Sequence, residues 1–547
     1  MAEAASLNGN FELSRECVQT VLAHGKTTLD CIRADEITLQ IQIMQGRMQE
    51  AISTALETLE KLGYPMATEL QPSQFQLELP ALTELAALPE MTAPAPMAAL
   101  RILQTCLGAV LAAKPQMALP TVWSQVQLCL KHGHSGRAAG IYGWYGTLLC
   151  GAMGNYAAGL HAGDLALAML ERFADKSQTC LAYNMVYSFI HHWRAHTRDC
   201  LLPLQEAVQV GLETGQYEYL GYCATNYCAY QFFLGDMLSD VQHSQQQYHA
   251  LLVKLKLDHA IYKSQIWLQV TENLTAPGDD PAQLVGEYFN AADMLPKLQA
   301  EGNGFVLMLL HLAQMLLAYW LGDAESACRA ATAASPYMMA GMGSEYVVVH
   351  NVYESLGWLA QYLSLDANQQ AQAAEKVEQN QARLQHWAEL VPANYRHKWQ
   401  LVEAEWHRVK GARPQAMEAY DDAIAGAQEH GYLQEEALAN ALAAKFYLGW
   451  GKAKVAAGYL QEAYYCYARW GAKAKAADLE RSYPELLRPI LQPSTTSADV
   501  LTNLVTVTAL SNSTHASTSH NSSNVSLNQT LDFISVLKAS QALSGTI

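Results

Sequence analysis

Apolar residues recur along most of this chain at spacings of three and four, the period that gathers them on one face of a helix. Alternating β-branched runs bounded by turns, the mark of a sheet, are missing from the body of the sequence. Phe305 to Leu321 breaks the amphipathic rhythm, being apolar throughout except at His311 and Gln314. That run sits near the lower limit of about 17–20 residues needed to cross a bilayer. It closes on Leu321-Gly322-Asp323, a helix-stop and turn signal that recurs elsewhere, and no basic flank marks a cytoplasmic side. It is therefore read as a buried core helix.

The helical pattern repeats. Gly411 is followed by Ala416, Tyr420 and Ala423, and Gly451, 40 residues later, by Ala456, Leu460 and Ala463. Ala404 and Ala444 precede the two glycines by seven residues each. Glycine adopts positive φ without steric cost, which suits it to a tight inter-helix turn. Alanine lets two backbones approach where the paired helices cross. Looser copies are headed by Gly322, Gly154, Gly46 and Gly9; Gly235 gives a turn whose small-residue pattern fails. The spacing predicts an all-α, tetratricopeptide-like helical-repeat solenoid, a right-handed superhelix over residues 1–492. In such an array each repeat touches mainly its neighbours, so it flexes like a spring and presents a long concave surface.

The character changes at Pro493. Residues 494–530 are rich in Ser, Thr and Asn with almost no charge, which predicts a flexible linker over 493–530. Its Asn-x-Ser/Thr matches at Asn512, Asn521, Asn524 and Asn528 are read as products of composition. Beyond it, 531–547 reads as a short amphipathic helix carrying Leu531, Ile534, Val536, Leu537 and Leu543. Proline-rich breaks fall at Pro72–Pro96, read as an irregular connection, and at Pro277–Pro281, read as a turn whose Asp caps the next helix.

The chain has 547 residues, of which 50% are hydrophobic and 16% charged, a composition that folds. Its formal net charge of −17 disfavours nucleic acid and anionic membranes, so proteins or small molecules are the expected partners. The eleven cysteines lack a disulfide framework, and no basic segment followed by an apolar run opens the chain. A cytoplasmic protein with reduced, buried thiols follows.

No catalytic motif is complete, and no cofactor is expected. Gly25-Lys26-Thr27 matches the end of a phosphate-binding loop, but Thr20 stands where the first glycine belongs and a helix precedes it. An inter-helix turn is the reading. Protein-kinase signatures are absent, since His407-Arg408 runs into Val409 and Asp532-Phe533 into Ile534. His191, His192 and His196 cluster around Trp193, and the last two, one helical turn apart, are placed to share a metal, although no third ligand or Glu follows. The plainer reading is a helix face that packs Trp193 with half-exposed histidines. Cys223 and Cys228 read as core cysteines, and His132-Gly133-His134 as a helix end. The aromatic stretches Tyr217–Phe233 and Tyr447–Trp470 read as seam fillers; a groove lined by Tyr, His and Trp would take a peptide or small ligand.

The C-terminal repeats carry a further signal in Asn394-Tyr395-Arg396-His397-Lys398-Trp399, Glu435-Glu436-Ala437-Leu438-Ala439-Asn440, Tyr464-Tyr465-Cys466-Tyr467-Ala468-Arg469-Trp470-Gly471 and Tyr483-Pro484. Together with His191-His192-Trp193 and Gly211-Leu212-Glu213-Thr214-Gly215, they resemble the helical middle region of the cyanobacterial multidomain sensor kinases. Those proteins join a Ser/Thr kinase, a STAND-like AAA ATPase, a tetratricopeptide region, a GAF domain and a histidine kinase. The resemblance implies a non-catalytic interaction and signal-coupling scaffold, with 531–547 resembling the signalling helix before a GAF domain. It also implies a fragment or split gene product, since the matching kinase positions do not exist here. Two other functions remain open: a free-standing ligand- or peptide-sensing arm like that of STAND-type transcription activators, and a metal-dependent enzyme at His191/His196.

Overall fold

In the computed structural model, residues 1, 2, 5, 11–69, 80, 82–276, 278 and 280–491 are described. The 493–530 linker, the 531–547 helix and the Gly9 turn expected from the sequence lie outside them. The described residues contain 24 α-helices and no strand beyond two isolated bridges, Glu90 with His134 and Val285 with Asn290. The fold is an all-α helical-repeat solenoid. It divides into Met1–Leu487 and Arg488–Ile547; of the second unit only 488–491, the end of a helix, are described.

The first unit opens with α1 (Phe11–His24), α2 (Thr28–Met44), α3 (Met48–Lys61), the short α4 (Leu82–Ala86) and α5 (Pro94–Ala113). There follow α6 (Ala118–His132), α7 (Ala138–Gly151), α8 (Tyr156–Phe173) and α9 (Thr179–Phe189). After two 3-10 turns come α10 (Leu201–Thr214), α11 (Tyr217–Phe233), α12 (Leu238–Leu255) and α13 (Asp258–Thr275). The next are α14 (Ala291–Ala300), α15 (Gly304–Trp320), α16 (Ala324–Ala334), α17 (Glu345–Gln361) and α18 (Ala367–Leu390). The series ends with α19 (Pro392–Val409), α20 (Arg413–His430), α21 (Leu433–Gly449), α22 (Ala453–Trp470), α23 (Lys473–Ser482) and α24 (Pro484–Leu491).

Consecutive helices pack as pairs, most extensively α7 with α8, α15 with α16, α19 with α20 and α21 with α22. Local chemistry fixes where each begins. Thr27 and Asp30 form a capping box on α2, Asp366 and Gln369 another on α18, and Asn155, Asn303 and Asp323 cap α8, α15 and α16. At the far ends Gly431 and Gly471 enter the left-handed region after α20 and α22, with φ of 77° and 94°.

Three sequence readings change. The Pro72–Pro96 stretch is not irregular to its end, because Pro94 opens α5 and Pro96 is buried in its first turn, where a missing N–H costs nothing. In the Pro277–Pro281 segment, Asp280 caps only a local turn through the N–H of Ala282, while Asn290 caps α14. The array is also not limited to neighbour contacts. Trp387 Nε1 donates to the Tyr156 hydroxyl at 2.6 Å across 231 residues, and Phe232 and Trp470 meet with ring centroids 5.7 Å apart. The stretch from α7 to α13 therefore lies against the stretch from α17 to α23. The Tyr217–Phe233 aromatics, placed by the sequence between neighbouring repeats, help to fill this distant contact.

The Phe305–Leu321 run forms α15, whose side chains from Val306 to Ala313 are all buried. At 17 residues it stays at the lower limit for a membrane span; α5, at 20 residues, is long and apolar enough by length and composition, with 56% of its most apolar 18-residue stretch buried inside the fold.

Candidate functional site

The two stretches meet at residues 190–200, where regular helix gives out. Helix α9 stops at Phe189, and the chain makes two 3-10 turns, His191–Trp193 and Thr197–Cys200. His192 and His196 therefore do not sit one turn apart on a helix, and the geometry of a shared metal is lost. His192 is fully buried rather than half-exposed, and both ring nitrogens are engaged: Nε2 donates to the Gly343 carbonyl at 2.8 Å and Nδ1 accepts from the Tyr395 hydroxyl at 2.6 Å. Trp193 Nε1 donates to the same carbonyl at 3.0 Å. His196 Nε2 donates to the His430 carbonyl at 3.1 Å, and its Nδ1 accepts from the Arg198 N–H at 3.1 Å. Neither ring of this pair has a free lone pair for a metal. No group of three or more His, Cys, Asp or Glu side chains among the described residues is placed to hold one.

Around His192 the network continues into α17 and α19. Thr197 Oγ1 donates to Glu345 at 2.5 Å; Asn394 accepts from the Thr197 N–H at 3.1 Å and donates to the carbonyls of His192 and Ala195, each at 2.9 Å. Tyr432 donates to Asn394 Oδ1 at 3.0 Å. Glu345 lies 3.7 Å from His192 Nδ1, but burial holds that imidazole below its ordinary pKa. The contact is therefore not an ion pair at neutral pH. Gly343 approaches this point so closely that a Cβ on Gly151 would lie 2.7 Å from the Gly343 nitrogen.

One turn further along α19 is a buried triad. His397 Nε2 donates to Glu435 in a short contact, and Lys398 Nζ reaches the same carboxylate at 2.8 Å. Burial, aided by the Lys398 charge, pushes His397 down to about 4. Burial alone would raise Glu435, but Lys398, with His397 beside it, outweighs that and holds the carboxyl below its ordinary value. The cavity beside the triad measures only about 10 Å³, space for about one water.

A larger cavity of about 480 Å³ opens between the Thr197–Cys200 turn with α11 and α12 on one side and α20–α22 on the other. Arg198, Gln231, Asp236 and Asp240 face it from the first wall, and Gln428, Leu433, Glu436 and Arg469 from the second. Arg198 pairs with Asp236 at 2.8 Å. Glu436 is 9% exposed and forms no salt bridge among the described residues, and burial raises its pKa against the opposing charge of Arg469. The lining of this cavity is charged and polar and includes none of the Tyr, His and Trp side chains of the aromatic stretches.

The phosphate-loop match at Lys26 is an inter-helix turn. The N–H groups of Lys26 and Thr27, which would face a phosphate, donate to the Asp30 carboxylate at 3.2 and 2.9 Å. The repeat residues fall as follows. Gly46, Gly154, Gly322, Gly411 and Gly451 have φ of 71°, 64°, 93°, 74° and 77° in the turns before α3, α8, α16, α20 and α22. Ala404, Ala416, Ala423, Ala444, Ala456 and Ala463 are buried between paired helices. Burial pushes the thiols of Cys106, Cys129 and Cys150 up to about 12, and raises those of Cys223 and Cys228 well above the ordinary thiol value.

No protein-family model matches the chain. A stretch of 61 residues, 11% of this chain, is 48% identical to the "Hybrid signal transduction histidine kinase G" of Dictyostelium discoideum, and spans 2% of that protein's length. A solved "Circular tandem repeat protein with novel repeat topology and enhanced subunit contact surfaces" aligns over 89% of this chain and 93% of its own, at 11% identity and a TM-score of 0.14. Neither likeness assigns a family.

Proposed function

We propose that this chain is a non-catalytic interaction and signal-coupling scaffold, cytoplasmic, with the helical body at 1–492, a linker at 493–530 and a signalling helix at 531–547. The observation that carries the reading is the seam. Its reactive side chains, His192, His196, His397, Glu345 and Glu435, hydrogen-bond to the protein itself instead of facing a substrate-sized cavity. Such a network holds two distant parts of one array in a defined relation, which is what a coupling element needs. The resemblance of the C-terminal repeats to the middle region of multidomain sensor kinases supports the signalling part, as does the short match to a histidine kinase segment. The repeat glycines and alanines serve as turns and helix crossings, and the partners are proteins or neighbouring kinase and GAF domains.

The test is biochemical. The purified full chain is assayed for ATP turnover and metal content, and is then added to a histidine kinase of the multidomain type that its C-terminal repeats resemble. The reading expects no turnover, no bound metal and a changed autophosphorylation rate. Turnover by the chain alone, or an unaffected kinase, overturns it. The open charged cavity favours a second reading, a ligand-sensing arm, in which a small molecule and not a protein sets the state of the array.

A further inference from the structure

We propose that the 480 Å³ cavity between α11–α12 and α20–α22 binds a small ligand bearing a primary ammonium group, gripped from both walls at once. The proposal goes beyond the scaffold reading and does not depend on it. The charges of the lining carry the argument. Arg198 and Asp236 neutralise one another at 2.8 Å. Two carboxylates then remain, Asp240 on the first wall and Glu436 on the second, against one guanidinium, Arg469, whose charge acts on Glu436 without a salt bridge among the described residues. Glu436 is nine-tenths buried, and its hydrogen-bonding neighbour is the thiol of Cys466, a weak donor. Burying a carboxylate is costly, and here burial raises the Glu436 pKa although the Arg469 charge opposes it, so the compensation is incomplete. Gln231 Oε1, on the opposite wall, is shielded from solvent and receives no hydrogen bond.

The cavity therefore offers carboxylates on both walls and an unmet acceptor in Gln231, in excess of its one guanidinium outside the Arg198–Asp236 pair. An ammonium group supplies three N–H donors and a positive charge, with no acceptor of its own. A neutral polyol leaves Glu436 uncompensated. A bare metal ion is too small for the space and finds no converging ligand set among the described residues. Arg469 is positioned to take an anionic end, so the ammonium ligand is either a polyamine or an amino-acid-like zwitterion. Both bridge the walls and fasten the seam.

Isothermal titration of the full chain with spermidine, lysine and maltose tests this. The proposal expects at least one of the amines to bind one to one and maltose not to bind. Glu436→Gln and the solvent-exposed Asp240→Asn each weaken that binding at least ten-fold, with the ligand-free unfolding midpoint retained. If lysine binds and Arg469→Gln lowers its affinity, the zwitterion is the ligand class; if spermidine binds and lysine does not, with spermidine affinity equal in that variant and the parent, the polyamine is. Absence of amine binding, tighter binding of maltose, or amine binding that both carboxylate variants leave unchanged overturns the proposal. The last result would reveal diffuse attraction to a chain of net charge −17.

Discussion

His192 shows how much a single buried side chain can commit. Its ring is held neutral by burial and by bonds that use one nitrogen as donor and the other as acceptor. Tyr395→Phe removes the donor to Nδ1 and leaves a buried acceptor unmet, a loss of about 1–3 kcal/mol in denaturant unfolding. His397 makes a pH prediction. Its folded pKa of about 4 lies below the ordinary 6.5, so the unfolded chain binds more protons between those values. Stability is then full above pH 6.5 and falls as pH drops toward 4, by about 2 kcal/mol between pH 7 and 5 from this group. Urea midpoints across that range check it, and His397→Gln flattens the slope. The sequence drew attention to residues 191–196 through their histidines, but pointed to a half-exposed helix face packing Trp193, with a shared metal as the lesser alternative. Their true partners, Gly343, Glu345, Asn394 and Tyr395, lie about 150 to 200 residues away, where no spacing rule reaches. A trace existed in Asn394, His397 and Lys398, polar residues on the inward face of α19, where an amphipathic helix would carry apolar ones.

At the level of helices, turns and crossings were the legible part. Gly411 and Gly451 occupy left-handed φ with open space around the missing side chain, so alanine there costs backbone strain alone, about 1 kcal/mol in thermal unfolding. Gly151 poses a different problem. It lies in α7 with ordinary helical φ, yet its added methyl would meet the Gly343 backbone. Gly151→Ala is expected to leave the helix intact and push the seam apart, visible as a loss of near-ultraviolet circular dichroism at unchanged far-ultraviolet signal. The apolar run at α15 was legible as a core helix because a turn glycine closes it. The Pro94 start of α5 was hidden, because the prolines that initiate a helix also populate loops.

For the first unit as a body, closure of distant stretches changes what moves. Exchange protection should peak in the seam helices α17, α19 and α21 and be lowest in α1, where only Ser14 and Val18 are buried. Hydrogen-exchange mass spectrometry of the full chain measures this. Uniform protection falling only toward the two ends would instead describe an open, nearest-neighbour array.

The long bridge from Tyr156 to Trp387 has one more consequence. Open repeat proteins gain or lose units freely in descent, since an added pair merely lengthens the rod. Here a pair of helices inserted between α12 and α18 would displace everything after it by roughly 10 Å per helix, the usual interaxial distance. His192 would then face the wrong neighbour, and so would Thr197 and His196. Selection on this stretch therefore acts on the count of its units as strictly as on their residues, and its descendants should vary at their surfaces and tips, with the interval between the clasped segments held constant.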